Sequence, residues 1–152
     1  MLRWFIFYFE SALRAFDPSV TLPYWDAAFD ASNPTNSIIF TSSRTGQATG
    51  GSSIRNSKFR NWWSDVPVSH YITRWLDSSV ALENTQSVYN QMQNSDPCSF
   101  MTAFQTTHGY VHLFVGGSSG PEAAGRPYGD MTLLSQSPND PIFFIFQYVF
   151  RH

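Results

Sequence analysis

The chain has 152 residues, of which 42% are hydrophobic, 17% aromatic and 13% charged, with a net charge of −2. This length suits one domain with a sizeable core. The low charge without a basic run argues against a nucleic-acid-binding surface, and no apolar run approaches the roughly 18 residues of a membrane span. The 14 Phe, 7 Tyr and 5 Trp predict an aromatic core or burial against a partner.

The first predicted element is a helix from Leu2 to Phe16. A stripe at spacings of three and four supports it, formed by Leu2, Phe5, Phe9, Ala12, Leu13 and Phe16. Trp4, Phe7 and Tyr8 make the other side apolar, so we expect burial on most faces. The segment resembles a short signal peptide but has no small-residue cleavage site. We interpret it as a helix of the fold, ended by Asp17-Pro18.

Residues 31–58 form the longest irregular stretch. Val20 to Asp26, which precedes it, is predicted to be extended or turn-like. Ala31 to Lys58 is rich in Ser, Thr, Asn and Gly and is interrupted by Ile38-Ile39-Phe40. We expect a long surface loop with at most one short strand. A loop of this length is usually functional, mobile or held by a partner.

The second half is predicted to be mainly helical. The segments are an apolar restart at 59–63, an ambiguous stretch at 68–76, a helix at 79–92, a helix at 99–115 after a start signal at Asp96-Pro97, a glycine-rich loop at 116–126, and a last helix from Ile142 to the end. The sequence Ser137-Pro138-Asn139-Asp140-Pro141 is a helix-entry signal, with Asp140 as cap and Pro141 at the first helical position.

His108 and His112 are the candidate metal ligands. Four residues apart on a helix, they project from one face, and imidazole is a favoured ligand for copper and zinc. Two hypotheses stay open, a residual single-metal site or two histidines satisfied by hydrogen bonds. His70 has no partner in the sequence and is interpreted as a surface or turn residue. His152 follows Gln147 by five residues, about 140° away around a helix, and should face elsewhere.

The isolated acidic and thiol residues have structural interpretations. Asp26, Asp130 and Asp140 are expected to act as caps and arginine partners, and none is predicted to be catalytic. Cys98 is the only cysteine, so an intrachain disulfide is impossible. We expect a small buried apolar residue there, with a bond to another chain as the alternative.

Several segments, taken in order, are similar to the tyrosinase family of type-3 copper proteins. They are residues 3–10, Leu22-Pro23-Tyr24-Trp25-Asp26, His108 with His112, Gly116-Gly117, Gly129-Asp130-Met131 and the run from Ser137 to Phe144. The resemblance covers nearly the whole chain. It implies a helical bundle around two copper ions, each held by three histidines, and oxidation of phenols to quinones.

The same resemblance exposes lost ligands. The family has Trp-His-Arg where this chain has Met1-Leu2-Arg3, so a first-copper ligand position falls on Leu2. The third ligand of the second copper falls on Gln147, and Arg151 stands in the place of an Asp. A frequent Asn after the first histidine of the motif is Gly109 here. The other two first-copper ligands lie upstream in the family, so we expect the domain, 1–152, to be truncated at both ends.

These observations predict a mainly α, incomplete tyrosinase-like bundle with long irregular loops. Leucine cannot ligate and glutamine offers only a neutral amide oxygen. We therefore expect no bound cofactor, no catalytic residues and a structural or assembly role, with copper only if His108 and His112 retain a site. Self-association or a partner chain completing the bundle is expected. Two edges should then expose apolar surface, one with Trp4, Phe7 and Tyr8 and the other with some of Phe143, Phe146, Val149 and Phe150. In the alternative, the chain is part of an active copper-dependent phenol oxidase whose missing ligands lie outside it or are misread. The resemblance alone favours a secreted or extracellular location.

Overall fold

The architecture is mostly helical, as the sequence predicts. A computed structural model describes residues 2–118 and 128–147. The helices are α1 (Leu2–Phe16), α2 (Thr85–Met92), α3 (Pro97–Gly116) and α4 (Ile142–Gln147). The strands are β1 (Ser52–Ser53), β2 (Trp63–Ser64), β3 (His70–Tyr71) and β4 (Thr73–Arg74), and 3-10 turns span Pro34–Asn36, Ile38–Phe40, Asp130–Thr132 and Ser137–Asn139. No described helix is both long enough and apolar enough to cross a membrane.

Helix α1 has the bounds that its apolar stripe predicts, but it buries only one face. Ile6 is fully buried, and the Phe9 ring stacks on Phe144 of α4 with ring centroids 3.9 Å apart. The prediction of burial on most faces is wrong, because Trp4 and Tyr8 are each 65% exposed. The helix therefore joins the core along a narrow stripe and leaves an aromatic face uncovered.

Local capping decides where α2 and α3 begin. The predicted start of α2 at Ser79 is wrong, because the Asn84 side chain accepts a hydrogen bond from the backbone N–H of Ser87 at 2.9 Å and starts the helix at Thr85. Asp96 caps α3 in the same way, accepting from Ser99 at 2.8 Å. Cys98, in the first turn of α3, is exposed, so its predicted burial is also wrong.

Two short antiparallel pairs organise the middle of the chain. Strand β1 pairs with β4, with Ser52 opposite Arg74, and β2 pairs with β3, with Trp63 opposite Tyr71. The long loop at 31–58 contains two 3-10 turns and the single strand β1, as the sequence predicts. It is not confined to the surface, however, because Phe40, Thr45 and Ile54 are buried. The stretch at 68–76 that the sequence leaves ambiguous forms β3 and β4.

A buried ion pair fixes the entry to α4. The Arg74 guanidinium donates to both carboxylate oxygens of Asp140, at 2.7 and 2.5 Å, and also to the carbonyl oxygen of Gly46 at 2.6 Å. Asp140 also accepts from the backbone N–H of Ile142 at 2.9 Å. Asp140 is thus both a helix cap and an arginine partner, as predicted, and it ties the start of α4 to β4.

The main core lies where α1, α3 and α4 meet. Its buried members include Ile6, Leu22, Trp25, Phe40, Leu76, Val111, Phe114, Val115, Met131, Ile142, Phe143 and Phe146. Most of these side chains are large and apolar, and their burial supplies the main driving force for folding. This core surrounds the inner face of the segment that carries the two histidines.

Candidate metal centre

The two candidate ligands lie together on the inner face of α3. The rings of His108 and His112 are 4.7 Å apart between centroids and meet edge to face. His112 is 3% exposed and His108 is half-buried. The helical spacing of four thus brings both imidazoles to one place, as the sequence predicts.

The side chain of Gln147, at the end of α4, contacts both imidazole rings. Its side-chain amide nitrogen lies 2.7 Å from Nε2 of His108 and 3.3 Å from Nε2 of His112. An amide group carries two N–H donors, so one amide can donate to both rings. The amide oxygen of Gln147 is buried and accepts no hydrogen bond. The amide therefore sits between the two nitrogen lone pairs that would face a cation.

The backbone fixes the orientation of His112. Its Nδ1 donates to the carbonyl oxygen of Met131 at 2.7 Å, which leaves the Nε2 lone pair facing inward. A hydrogen bond of this kind from the second ring nitrogen orients metal-bound histidines in general. The same bond makes His112 a well-oriented acceptor for Gln147 when no ion is bound.

Glycine allows the Met131 turn to approach α3 so closely. A Cβ at Gly116 would lie 2.2 Å from the backbone nitrogen of Thr132, and Gly117 has φ +97°, where glycine is favoured. The carbonyl oxygen of Gly116 accepts from the N–H of Gly129 at 2.7 Å. The glycine pair singled out by the sequence is therefore a requirement of close packing that positions the Met131 carbonyl.

His70 supports the same turn, and its interpretation as a surface or turn residue is wrong, because it lies in β3 and its side chain is only 9% exposed. Its Nε2 lies 2.8 Å from the carboxylate of Asp130, which is fully buried. Asp130 also accepts from the backbone N–H of Thr73 at 3.0 Å and from the Asn139 amide at 3.3 Å. The Asp130 carboxylate thus connects β3, β4 and the 3-10 turn Ser137–Asn139 to the residue immediately before Met131. Since 60 residues separate His70 from Asp130, no local pattern signals the pair.

Burial keeps both histidines of α3 in the neutral form. Burial, together with the charge that His112 would carry, lowers the pKa of His108 from 6.5 to about 4. Burial also lowers the pKa of His112. Neutral imidazoles have a free lone pair at neutral pH, the form needed either to bind a metal or to accept from Gln147.

The other positions that the resemblance singles out differ in how the structure places them. Leu2 begins α1, while Arg151 and His152 lie outside the described residues, as does most of the stretch at 116–126 that the sequence predicts to be a glycine-rich loop. A Cβ added at Gly109 would meet no atom within 4 Å. Phe146 stacks on His108, with ring centroids 5.2 Å apart and planes inclined by 15°. An aromatic ring thus covers one face of the first imidazole.

The donor set does not suit the copper arrangement that the resemblance implies. That arrangement needs three imidazoles for each ion, and the position that the resemblance assigns to one of them holds Gln147, whose neutral amide hydrogen-bonds to both histidines. Within residues 2–118 and 128–147, no group of three or more His, Cys, Asp or Glu side chains is placed to hold a metal ion. The arrangement presents a hydrogen-bonded triad of two imidazoles and one amide.

Comparisons with known proteins found similar sequences and a similar fold. The model of the common central domain of tyrosinase matches residues 3–73 and 64–146. A tyrosinase-like protein of Caenorhabditis elegans, tyr-3, is 29% identical over 160 residues, covering 94% of this chain and 21% of that protein. A variant polyphenol oxidase from Thermothelomyces thermophila has a similar fold, with a TM-score of 0.69 and 19% identity over 99% of this chain and 51% of its own.

The chain spans about a fifth of the curated relative and about half of the solved structure. The matched family regions extend from α1 to α4 and include His108, His112 and the Ser137–Phe144 segment. A family match over this much of the chain, together with the helical fold around the two histidines, identifies the chain as a member of the tyrosinase family.

Proposed function

We propose that this chain is a tyrosinase-like domain without dinuclear copper oxidase chemistry, kept as a structural and assembly module. The observation that carries the proposal is the Gln147 amide, which donates to His108 and His112 at the position of a third imidazole. An amide nitrogen that donates has no lone pair for a metal. By resemblance, Leu2 takes the place of a first-copper ligand, and leucine offers no donor atom.

Catechol oxidation by the copper-supplemented chain tests the loss of activity. We expect turnover no faster than that of the same concentration of free copper, because activation of dioxygen by the family needs two ions. The matched control is His112→Ala, which removes the best-oriented imidazole. Turnover above the free-copper rate that disappears in His112→Ala would contradict the proposal.

An alternative is that the chain is part of an active copper-dependent phenol oxidase, with ligands supplied by sequence outside it. The hydrogen bond from His112 to Met131 favours this alternative, because it orients Nε2 as a ligand requires. The experiment is a copper titration of a longer protein that contains this chain. Two tightly bound ions per domain would support the alternative, whereas none or one would support the structural role.

The proposed assembly surface is the aromatic face of α1. Trp4 and Tyr8 are each 65% exposed and Phe7 is 42% exposed, and their rings contact one another at centroid distances of 5.7–6.2 Å. A contiguous aromatic patch on a chain with only 13% charged residues favours association with another surface. We propose that a second copy or a partner chain covers it.

The other predicted edge is partly corrected. Phe143 and Phe146 of α4 are 6% and 3% exposed, so they belong to the core instead of an interface, while Val149 and Phe150 lie outside the described residues. The α1 face therefore carries the assembly proposal alone.

Sedimentation at micromolar concentration tests the assembly proposal. Replacing Trp4 and Tyr8 with Gln should shift the chain toward monomer, because it removes the most exposed part of the patch. The matched control is Phe16→Gln, on the same helix, where the side chain is 92% exposed but outside the cluster. If the unsubstituted chain sediments as a compact monomer, self-association is excluded. If Phe16→Gln dissociates as much as the variant with Gln at positions 4 and 8, the aromatic face of α1 is excluded as the interface.

A further inference from the structure

The outward side of α1 carries a second regular stripe, opposite the one that enters the core. This outer stripe consists of four exposed residues at spacings of four, three and four, namely Trp4, Tyr8, Ser11 and Ala15. At 3.6 residues per turn they lie within about 60° of one another around the helix axis, nearly opposite the fully buried Ile6. Alternating spacings of three and four are those with which two paired helices contact each other. Helix α1 therefore has one face in the core and another with the pattern of a helix–helix contact.

The outer stripe has large side chains at one end and small ones at the other. Trp4 and Tyr8, each 65% exposed, occupy its N-terminal half, whereas Ser11 and Ala15 occupy its C-terminal half. The midpoint between Trp4 and Ala15 is also the midpoint between Tyr8 and Ser11. A second copy of α1 running in the opposite direction about that midpoint therefore places each ring over a small side chain. A parallel copy would place rings on rings at one end and leave a gap between small side chains at the other, which close packing disfavours.

The polar groups of the outer stripe are compatible with burial against another helix. The Ser11 hydroxyl donates to the carbonyl oxygen of Phe7 at 2.8 Å, so its hydrogen bond lies within α1 and is kept when the stripe is covered. None of the four stripe residues is charged, so two copies bring no like charges together along the stripe. An antiparallel arrangement also places the positive end of each helix dipole beside the negative end of the other.

The area available for pairing is close to the minimum for a specific interface. A whole aromatic side chain presents roughly 150–250 Å², so the exposed parts of Trp4, Phe7 and Tyr8 amount to roughly 400 Å² in each chain. With the small side chains beside them, an antiparallel pair buries roughly 1,000 Å² in total, near the lower limit for a specific interface. We therefore expect a reversible dimer instead of a permanent one.

We propose that two copies of this chain pair through α1 in antiparallel orientation. Trp4 of each copy packs against Ala15 of the other, and Tyr8 packs against Ser11. The inference rests on the assembly role proposed above and specifies both the partner, a second copy, and the geometry, a two-fold pair. Because the pair covers the outer stripe of both copies, association through this surface stops at two chains.

Exchanging the large and small ends of the stripe tests this geometry. Trp4→Ala removes a ring, and Ala15→Trp places a second ring where Trp4 of the other copy must lie, so each change alone should raise the dimer dissociation constant about tenfold. The double variant Trp4→Ala/Ala15→Trp again pairs a ring with a small side chain, and its dissociation constant should return to within about threefold of that of the unsubstituted chain. Sedimentation equilibrium measures all four constants.

A control on the same helix separates the stripe from exposed aromatic surface in general. Phe16→Ala removes a ring that is 92% exposed but lies outside the stripe, and it should leave the dissociation constant unchanged. Every side chain that is changed is exposed, so the core is untouched. Circular dichroism of dilute samples, in which every variant is monomeric, checks that the fold is kept.

Each outcome decides the proposal. Recovery of the dimer in the double variant, with no effect of Phe16→Ala, supports the antiparallel pair. Additive losses in the double variant, or single variants that associate as tightly as the unsubstituted chain, would overturn this geometry and leave self-association through another surface. A chain that stays monomeric up to about 100 μM would overturn pairing with a second copy and leave the assembly role to a different partner chain.

Discussion

Replacing Gln147 with histidine would return a third imidazole to the place where an amide now joins His108 and His112. The amide nitrogen lies 2.7 and 3.3 Å from the two Nε2 atoms. A metal–imidazole bond is about 2.0–2.1 Å long, so an ion placed among three ring nitrogens needs only modest adjustment of the side chains. Gln147 is 2% exposed, so the new ring would be held inside the core.

The expected gain in metal affinity can be bounded. Changing the outer partners of a metal ligand typically alters affinity about 10–100-fold, and a directly bound imidazole should contribute at least the upper end of that range. We therefore expect copper or zinc to bind Gln147→His at least about 100-fold more tightly than the parent chain, or about 2.8 kcal/mol. His112 is already oriented by Met131, which limits the entropic cost of assembling the site.

Competition against a chelator of known affinity, monitored by calorimetry, measures this difference. Gln147→Leu is the matched control, since leucine has a similar volume but no donor atom. One ion per chain in Gln147→His and none in the control would support the geometry described for the site. An affinity equal to that of the parent chain would refute the reasoning, because it would show that the three side chains do not converge.

Three further outcomes follow from buried polar groups. In Gln147→Leu, one buried and one half-buried imidazole nitrogen lose a donor while one unpaired amide oxygen is removed, so urea denaturation should show that the free energy of unfolding falls by about 2 kcal/mol; an unchanged midpoint would contradict this. The pKa of His108 is lowered from 6.5 to about 4 in the folded state, so its contribution to the free energy of unfolding is complete above pH 6.5. As the pH decreases toward 4, the free energy of unfolding should fall by about 2 kcal/mol, after discounting for partial exposure. His108→Gln should reduce this pH dependence, and the same loss of stability in that variant would show that another group causes it. Asp140→Asn leaves the buried Arg74 charge uncompensated and should cost about 3–5 kcal/mol in chemical denaturation, whereas the exposed Asp17→Asn should have no measurable effect.

The sequence predicts the elements that have strong local signals. The apolar stripe of α1, the Asp-Pro start of α3 and the Asp140-Pro141 entry to α4 all depend on residues within one or two helical turns, and the structure confirms them. The resemblance assigns His108, His112 and Gln147 to ligand positions of one copper, and in the structure these three side chains lie within hydrogen-bonding distance of one another.

The features that the sequence missed depend on distant contacts. Strands of two residues have no periodicity, so β3 and β4 could not be recognised from the pattern. The His70–Asp130 pair joins segments 60 residues apart. For Trp4 and Tyr8 the sequence supports two conflicting expectations, burial on most faces of α1 and an exposed apolar edge, because an apolar helix does not show which of its surfaces are covered. The structure agrees with the second, since each side chain is 65% exposed.

Helix α3 is buried at one end only, which divides it into two parts of different stability. Its buried residues, Val111, His112, Phe114, Val115 and Gly116, all lie in the last third of its 20 residues. The residues of α3 before Val111 are exposed or half-buried, and the Thr107 hydroxyl donates to the Gln91 side chain of α2 at 2.9 Å. Segments with few buried apolar contacts open locally at a lower free-energy cost than the core. Amide hydrogens before Val111 should therefore exchange with solvent earlier than those after it, and His108 should become chemically accessible while His112 is still protected.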